Sequence, residues 1–235
     1  MALLLAAALT MTTILTGCGG GNEENADKQS DVTAEDAKEE NASGDSVSEG
    51  GTVFTVGFDA EYPPYGYMDE NGEYTGFDLE LAQAVCDLEG WELVKKPINW
   101  DSKDMELNSG SIDCIWNGFT MNGREDDYTF SDSYVDNSQV IVVAEDSGID
   151  TLDALAGKVV GVQAASAALE LLQSEEEGGQ KALADTFGSL NEFADYNTAF
   201  TELQAGALDA LAIDIGVAKY QIKSRGDGYK IVDET

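Results

Sequence analysis

The sequence predicts an α/β fold whose second half is a parallel sheet with helical crossovers. Two observations carry the prediction. Short apolar runs read as strands at Gln139 to Ala144, Val159 to Val162 and Leu208 to Ile213. Helical segments stand between or after them: Ser166 to Gln173, Thr198 to Ala205, and Val217 to Ile222. Strand and helix in alternation is the pattern of crossover units.

The elements follow in chain order from residue 52. Val53 to Phe58 alternates and predicts a strand, which Tyr62-Pro63-Pro64-Tyr65 ends. Asn71-Gly72 between Tyr67 and Tyr74 predicts a hairpin, because that dipeptide accepts the positive φ of a tight turn. Phe77, Leu81, Ala84, Val85 and Leu88 fall at helical spacing and predict one apolar helix stripe, closed by Gly90. Leu93 to Ile98 and Ile112 to Trp116 read as further strands. Gln139 to Ala144 is a continuous β-branched run, hence a buried strand, and Leu152 to Leu155 is a short helix ending at Gly157. In parallel sheets ligands sit beyond the carboxyl ends of strands. Asn117, Gln163 and Asp214 all stand at such ends.

Before this region lie two segments of different character. Residues 1–17 are apolar or small, too short to span a bilayer, where about 20 apolar residues are needed. They fit the hydrophobic region of a secretion signal. The ending Leu15-Thr16-Gly17-Cys18 resembles the lipobox of bacterial lipoproteins, which implies a lipid on Cys18; the alternative is an ordinary signal followed by a chance cysteine. No Lys or Arg precedes the apolar run, so a missing start is expected. Residues 19–51 hold ten acids and two lysines and almost no branched apolar residues. Such a stretch buries too little to offset its ordering entropy, so a disordered acidic tether is expected, with a reach of roughly 30 Å.

The chain has 46 acids and 12 bases; with the tether's set aside, 36 and ten remain for residues 52–235. So acidic a domain argues against nucleic acid, where basic surface supplies much of the affinity. There is no histidine. That removes histidine-based nucleophile activation and the commonest metal ligand. Asp69, Asn71, Glu73 and Glu80 are spaced like a calcium loop, but Tyr74 stands where that loop needs glycine, and a hairpin turn is the simpler reading. No metal and no cofactor is expected. Cys86 and Cys114 read as small buried hydrophobes, with their disulfide left open.

Only two arginines occur. Arg225 lies in a polar turn and reads as a surface charge. Arg124 follows Trp116-Asn117-Gly118-Phe119-Thr120, a loop leaving an apolar strand. Two readings stand on spacing alone. A guanidinium there takes a ligand carboxylate in a bidentate pair, or it pairs with Glu125, Asp126 or Asp127 beside it.

Residues 52–235 carry an ordered set of motifs. These are Val56-Gly57-Phe58-Asp59-Ala60-Glu61-Tyr62-Pro63-Pro64-Tyr65, Gly76-Phe77-Asp78-Leu79, Leu107-Asn108-Ser109-Gly110, Ile112-Asp113, Gly118-Phe119-Thr120 with Arg124, Phe130-Ser131 with Tyr134, Lys158 to Gln163, and Leu208-Asp209-Ala210 through Asp214. In this order they resemble the polar amino-acid binding proteins of ABC importers, the family 3 extracellular solute-binding proteins. The resemblance implies a two-lobe, type II periplasmic-binding-protein fold, with lobe one at 52–137 and lobe two at 138–235, that closes on a free amino acid. By position, Arg124 would clamp the α-carboxylate with Thr120 and the Ser166 helix start. Asp214 and the Gly118 carbonyl would take the α-ammonium. Tyr62 and Trp100 would pack on the side chain, Asp59 would meet its polar end, and Asn117 and Gln163 would line the site beside it, Gln163 where some relatives carry Lys. Ala164-Ala165 replaces the Gly-Thr common in relatives after the Gln163 strand. Relatives also cross back into lobe one after lobe two, so lobe one is expected to lack its final segment here.

The implied site offers Asp59, Glu61 and Asn117 near the ligand side chain and no second cation. A cationic or polar neutral amino acid is therefore expected over glutamate or aspartate, whose second carboxylate would be buried unpaired. The expected role is extracytoplasmic capture and delivery to the membrane subunits of an ABC importer, by a lipid-anchored monomer and not an enzyme. Two alternatives remain. A dehydratase on the same fold would need Glu61 or Asp59 as its base, with no paired acid in view. A receptor's sensory domain would need a transmembrane helix after lobe two.

Overall fold

The computed structural model describes residues 51–226 and 228–232. The expected leader 1–18 with its lipid on Cys18, and residues 19–50 of the expected tether, lie outside them.

The first half begins with β1 (Val53–Phe58), β2 (Glu61–Tyr62), β3 (Gly66–Met68) and β4 (Tyr74–Thr75), followed by α1 (Phe77–Glu89) and β5 (Glu92–Pro97). A 3-10 turn at Trp100–Ser102 leads into α2 (Lys103–Asn108), and β6 (Cys114–Ile115) follows. β1 lies between β5 and β6, parallel to both. β2, β3 and β4 form a small antiparallel sheet, with Met68 opposite Tyr74 across the Asn71-Gly72 turn. Asp69 accepts the N–H groups of Asn71 and Glu73 at 2.9 Å each, which occupies its carboxylate with the turn.

The second half holds β7 (Gln139–Ala144), a 3-10 turn at Leu152–Leu155, β8 (Val159–Gln163), α3 (Ala167–Gln173), α4 (Lys181–Ala184), β9 (Ser189–Phe193), α5 (Tyr196–Gln204), β10 (Ala210–Asp214), α6 (Ile215–Arg225) and β11 (Tyr229–Ile231). The sheet order is β11-β7-β10-β8-β9. Val140 and Val142 enter one core cluster and Ile141 and Val143 the other. Both faces of β7 are thus covered, which explains its unbroken apolar run. Among the described residues no helix is long and apolar enough to cross a membrane.

Three expectations need correction. The second sheet is mixed: β8, β9 and β10 are parallel, but β7 runs antiparallel to β10, and β11 antiparallel to β7. A β-branched run reports double-sided burial and carries no direction. The strand expected at Ile112 to Trp116 shortens to two residues, because only Cys114 and Ile115 pair with β1. The buried face of α1 is Asp78, Leu79, Ala82 and Cys86, while Phe77 and Leu88 are exposed, Leu88 by 85%. The helix turns Leu79, two small residues and one acid inward, so Phe77 and Leu88 mark the wrong face. Cys86 is buried, Cys114 partly so, and both are free thiols. Burial raises the pKa of both.

Candidate functional site

Strand ends and the loops after them converge between the two halves. A cleft there is lined by Tyr62, Trp100, Asn117, Gly118, Thr120, Arg124, Gln163, Ser166 and Asp214, nine of the ten ligand-site residues expected from sequence. Asp59 is the tenth. It joins by hydrogen bonds, its backbone N–H donating to Asn117 Oδ1 at 2.9 Å and its Oδ2 accepting from Gln163 Nε2 at 2.7 Å. The space between these walls is about 20 Å³, room for about one water molecule. Hydrogen bonds from Gln163 to Asp59 and from Trp100 to the Ala165 carbonyl hold the halves closed on each other. A larger cavity, about 220 Å³, adjoins Tyr62, Gly118 and Thr120 beneath residues 130–137.

Each polar residue is placed by local structure. Gln163 and Asp214 are the last residues of β8 and β10, adjacent strands of one sheet, so both side chains emerge at its carboxyl edge. Ser166 caps α3, its Oγ accepting the Leu169 N–H at 3.2 Å. Gly118 has φ 56, and its backbone N–H helps hold the Asp78 carboxylate. The loop leaving β6 is thereby fixed to α1. Tyr62 stacks on Tyr65 at 5.4 Å and lies against Tyr196 of the second half at 6.0 Å. Trp100 meets Phe119 edge to face at 5.3 Å.

The anionic pole is Asp214, which is buried. Its Oδ1 accepts from Asn137 Nδ2 and from Gln139 Nε2, the latter at 2.7 Å, and its Oδ2 accepts from the Tyr196 hydroxyl at 3.3 Å. Burial, then the Asp214 charge, pushes the Tyr62 and Tyr196 hydroxyls well above their ordinary pKa. They remain donors. Gln139 Oε1 is buried with no hydrogen-bond partner. An acceptor left open beside a carboxylate suits an incoming cation.

The cationic pole is Arg124, 6% exposed at its side chain. The acidic neighbours offered by spacing do not hold it. Glu125, Asp126 and Asp127 face solvent. Arg124 instead reaches Glu170 on α3, with Nε at 3.1 Å and Nη2 at 2.6 Å from the same Oε1. Nη1 donates to the Thr120 carbonyl at 3.1 Å.

Lys103 is a second buried cation, at the Arg124 end of the cleft. It is buried, with Nζ 5.2 Å from the Trp100 ring centre and 3.4 Å from the Ala165 carbonyl. Burial lowers its pKa, Arg124 adds to that, and the Asp104 and Glu170 charges oppose it. Spacing gave no signal for this lysine because α2 begins at Lys103 and turns it inward among aromatic rings. Glu170, Asn137, Gln139 and Tyr196 were also missed. Of these, Glu170 alone carried a signal, four residues past a recognised helix cap.

At the far end of the cleft, burial raises the Asp59 pKa to about 6, against the opposing effect of hydrogen bonds from Glu61 and Gln163. Asn197 of α5 donates to Glu61 across the halves. Acidic and amide groups thus collect at this end and cations at the Arg124 end. Among the described residues no group of three or more Cys, Asp or Glu side chains is arranged to hold a metal ion.

The model of bacterial extracellular solute-binding proteins, family 3, matches residues 54–223. The arginine-binding extracellular protein ArtP of Bacillus subtilis is 31% identical over 98% of the chain and 80% of its own length. The L-cystine-binding protein TcyJ of Escherichia coli is 31% identical over 80% of the chain and 68% of its own. Among solved structures, an ABC uptake transporter substrate-binding protein from Streptococcus pneumoniae with bound histidine superposes with a TM-score of 0.72 at 34% identity, covering 78% of this chain and 76% of that one. An ancestral amino-acid-binding protein, described as a precursor of cyclohexadienyl dehydratase, superposes at 0.69 with 30% identity over 78% of each chain. The two-lobe type II architecture of these proteins is that of the β5-β1-β6 and β11-β7-β10-β8-β9 halves, and the chain belongs to the bacterial extracellular solute-binding proteins, family 3.

Proposed function

We propose that the chain captures a free polar or basic amino acid outside the cytoplasm and delivers it to an ABC importer, without chemical turnover. One observation carries this reading. A buried cation, Arg124, and a buried anion, Asp214, line one cleft from opposite halves. A zwitterion bridging them stabilises the closed arrangement over the open one, which is what a capture device needs. The α-carboxylate goes to Arg124, with Thr120 and Ser166 beside it. The α-ammonium goes to Asp214 and the Gly118 carbonyl. Tyr62 and Trp100 cover the side chain, and Asp59, Asn117 and Gln163 meet its tip. We place the division between the lobes at 137/138, one residue before β7.

Lys103 does not reverse the expected selectivity. It sits at the Arg124 end, near Glu170 and Ala165, so the side-chain end keeps its acidic and amide character. The names of the relatives, which include arginine, histidine and cystine binders, support a polar or basic ligand. A dehydratase is the second reading, favoured only by the likeness to its ancestral precursor. The family's extracellular placement, with the lipobox-like Leu15 to Cys18, supports a lipid-anchored protein held near its importer.

The test is a thermal-shift and calorimetric panel of the twenty amino acids. Arginine, histidine or glutamine should bind tightest. Glutamate or aspartate binding tightest contradicts the proposal, and consumption of a prephenate-like acid favours the enzyme.

A further inference from the structure

We propose that Glu170 is a built-in anion for the Arg124 clamp, so that ligand capture exchanges one carboxylate for another and Glu170 sets the affinity. The inference rests on the reading of Arg124 as the carboxylate clamp and adds a specificity-determining residue to it.

The guanidinium is nearly saturated by protein acceptors. Its Nε and Nη2 edge holds Glu170 Oε1 at 3.1 and 2.6 Å. Its remaining groups reach two backbone carbonyls, Nη1 to Thr120 at 3.1 Å and Nη2 to Ala165 at 3.5 Å. A bidentate carboxylate needs two parallel N–H groups on one edge. The carbonyls are fixed by their loops. Ala165 is held at φ 53, and Trp100 Nε1 and Lys103 Nζ also donate to its oxygen. Glu170 is the partner free to leave. Its side chain is 50% exposed on α3, and a rotamer change carries its carboxylate to solvent.

Charge explains why some anion must be there. Arg124 and Lys103 are both buried, and the Phe119 ring lies within 4.7 Å of one and 6.0 Å of the other. Two buried cations with no facing anion are costly. Glu170 supplies that anion from the other lobe, although Glu125, Asp126 and Asp127 stand closer to Arg124 in sequence. A ligand α-carboxylate supplies it equally well. Until displaced, Glu170 competes with that carboxylate and ties the lobes together.

The experiment compares the 235-residue chain with Glu170→Gln, and with Glu170→Asp, whose shorter side chain falls short of Arg124. Calorimetry is run with L-arginine, L-glutamine and agmatine, which is arginine without its carboxylate. Weakening the resident anion should tighten L-arginine and L-glutamine by about tenfold in both variants, the scale of a charged hydrogen bond. Agmatine does not compete for the clamp, so its affinity should stay within about twofold. Equal or weaker amino-acid binding in the variants, or an equal gain for agmatine, overturns the proposal and leaves the amino-acid reading intact. No binding of any amino acid by the parent chain overturns that reading, and the proposal with it.

Discussion

Trp100 Nε1 donates to the carbonyl of Ala165 at 3.2 Å, and Ala165 is the one non-glycine residue with positive φ among those described. The turn after β8 accepts a strained conformation that aims its carbonyl at the opposite lobe, where Lys103 and Arg124 also reach it. The strain sits where the lobes meet, a common location for backbone held out of its preferred region. Ala165→Val should lower stability by about 2 kcal/mol in urea unfolding, because a β-branched residue tolerates positive φ poorly. Ala165→Gly should leave it within about 1 kcal/mol.

A second close approach makes closure sensitive to one methyl group. A Cβ on Gly216 of α6 would stand 2.2 Å from the Tyr65 hydroxyl and 3.0 Å from its Cζ. Tyr65 is buried and stacked on Tyr62, so its ring has little room to yield. Gly216→Ala should weaken amino-acid affinity roughly tenfold, about 1.4 kcal/mol, by opposing lobe closure. Calorimetry measures the affinity, and a circular-dichroism melt checks that the lobes remain folded.

Stability should rise on mild acidification. Burial raises Asp59 and Asp78 to about 6 from the ordinary 3.8. Between those values the folded chain holds more protons than the unfolded one, so unfolding free energy falls as pH rises through this window. Going from pH 7 to pH 5 should therefore add roughly 1 kcal/mol per group. Asp69 and Glu106, lowered from 3.8 and 4.5, work the other way, and their contribution is lost as pH falls below those ordinary values. Urea titrations at pH 5 and 7 test this. Asp78→Asn should remove about half of the gain.

The same Asp59 should make basic ligands pH-sensitive. A charged Asp59 favours a cationic side chain, and its protonation below about pH 6 removes that attraction. Arginine affinity should fall several-fold from pH 7 to pH 5 while glutamine affinity changes much less. Parallel calorimetric titrations at both pH values decide it.

Much of the scaffold was legible because it is local. The Asn71-Gly72 hairpin, the Gly90 cap, the Ser166 cap and the apolar run of β7 each follow from neighbouring residues. The short α4 and the half-exposed β9 carry few large apolar residues, so no period exposed them. The candidate site was legible as a set of residue types, and the cleft gathers nine of its ten members in one lining. Their partners were not. Arg124 meets Glu170 46 positions away, and Lys103 meets Ala165 62 positions away, in the other lobe. Such pairings depend on how two lobes close, which no spacing along the chain records.

Arg124 and Asp214 are expected to grip the two charges of one amino acid. Calorimetry of Arg124→Ala against the parent chain, with whichever amino acid binds tightest, tests it most directly. A loss of at least about 2 kcal/mol, roughly 30-fold in affinity, is expected for a buried carboxylate left unpaired. Affinity surviving within a few-fold would contradict it.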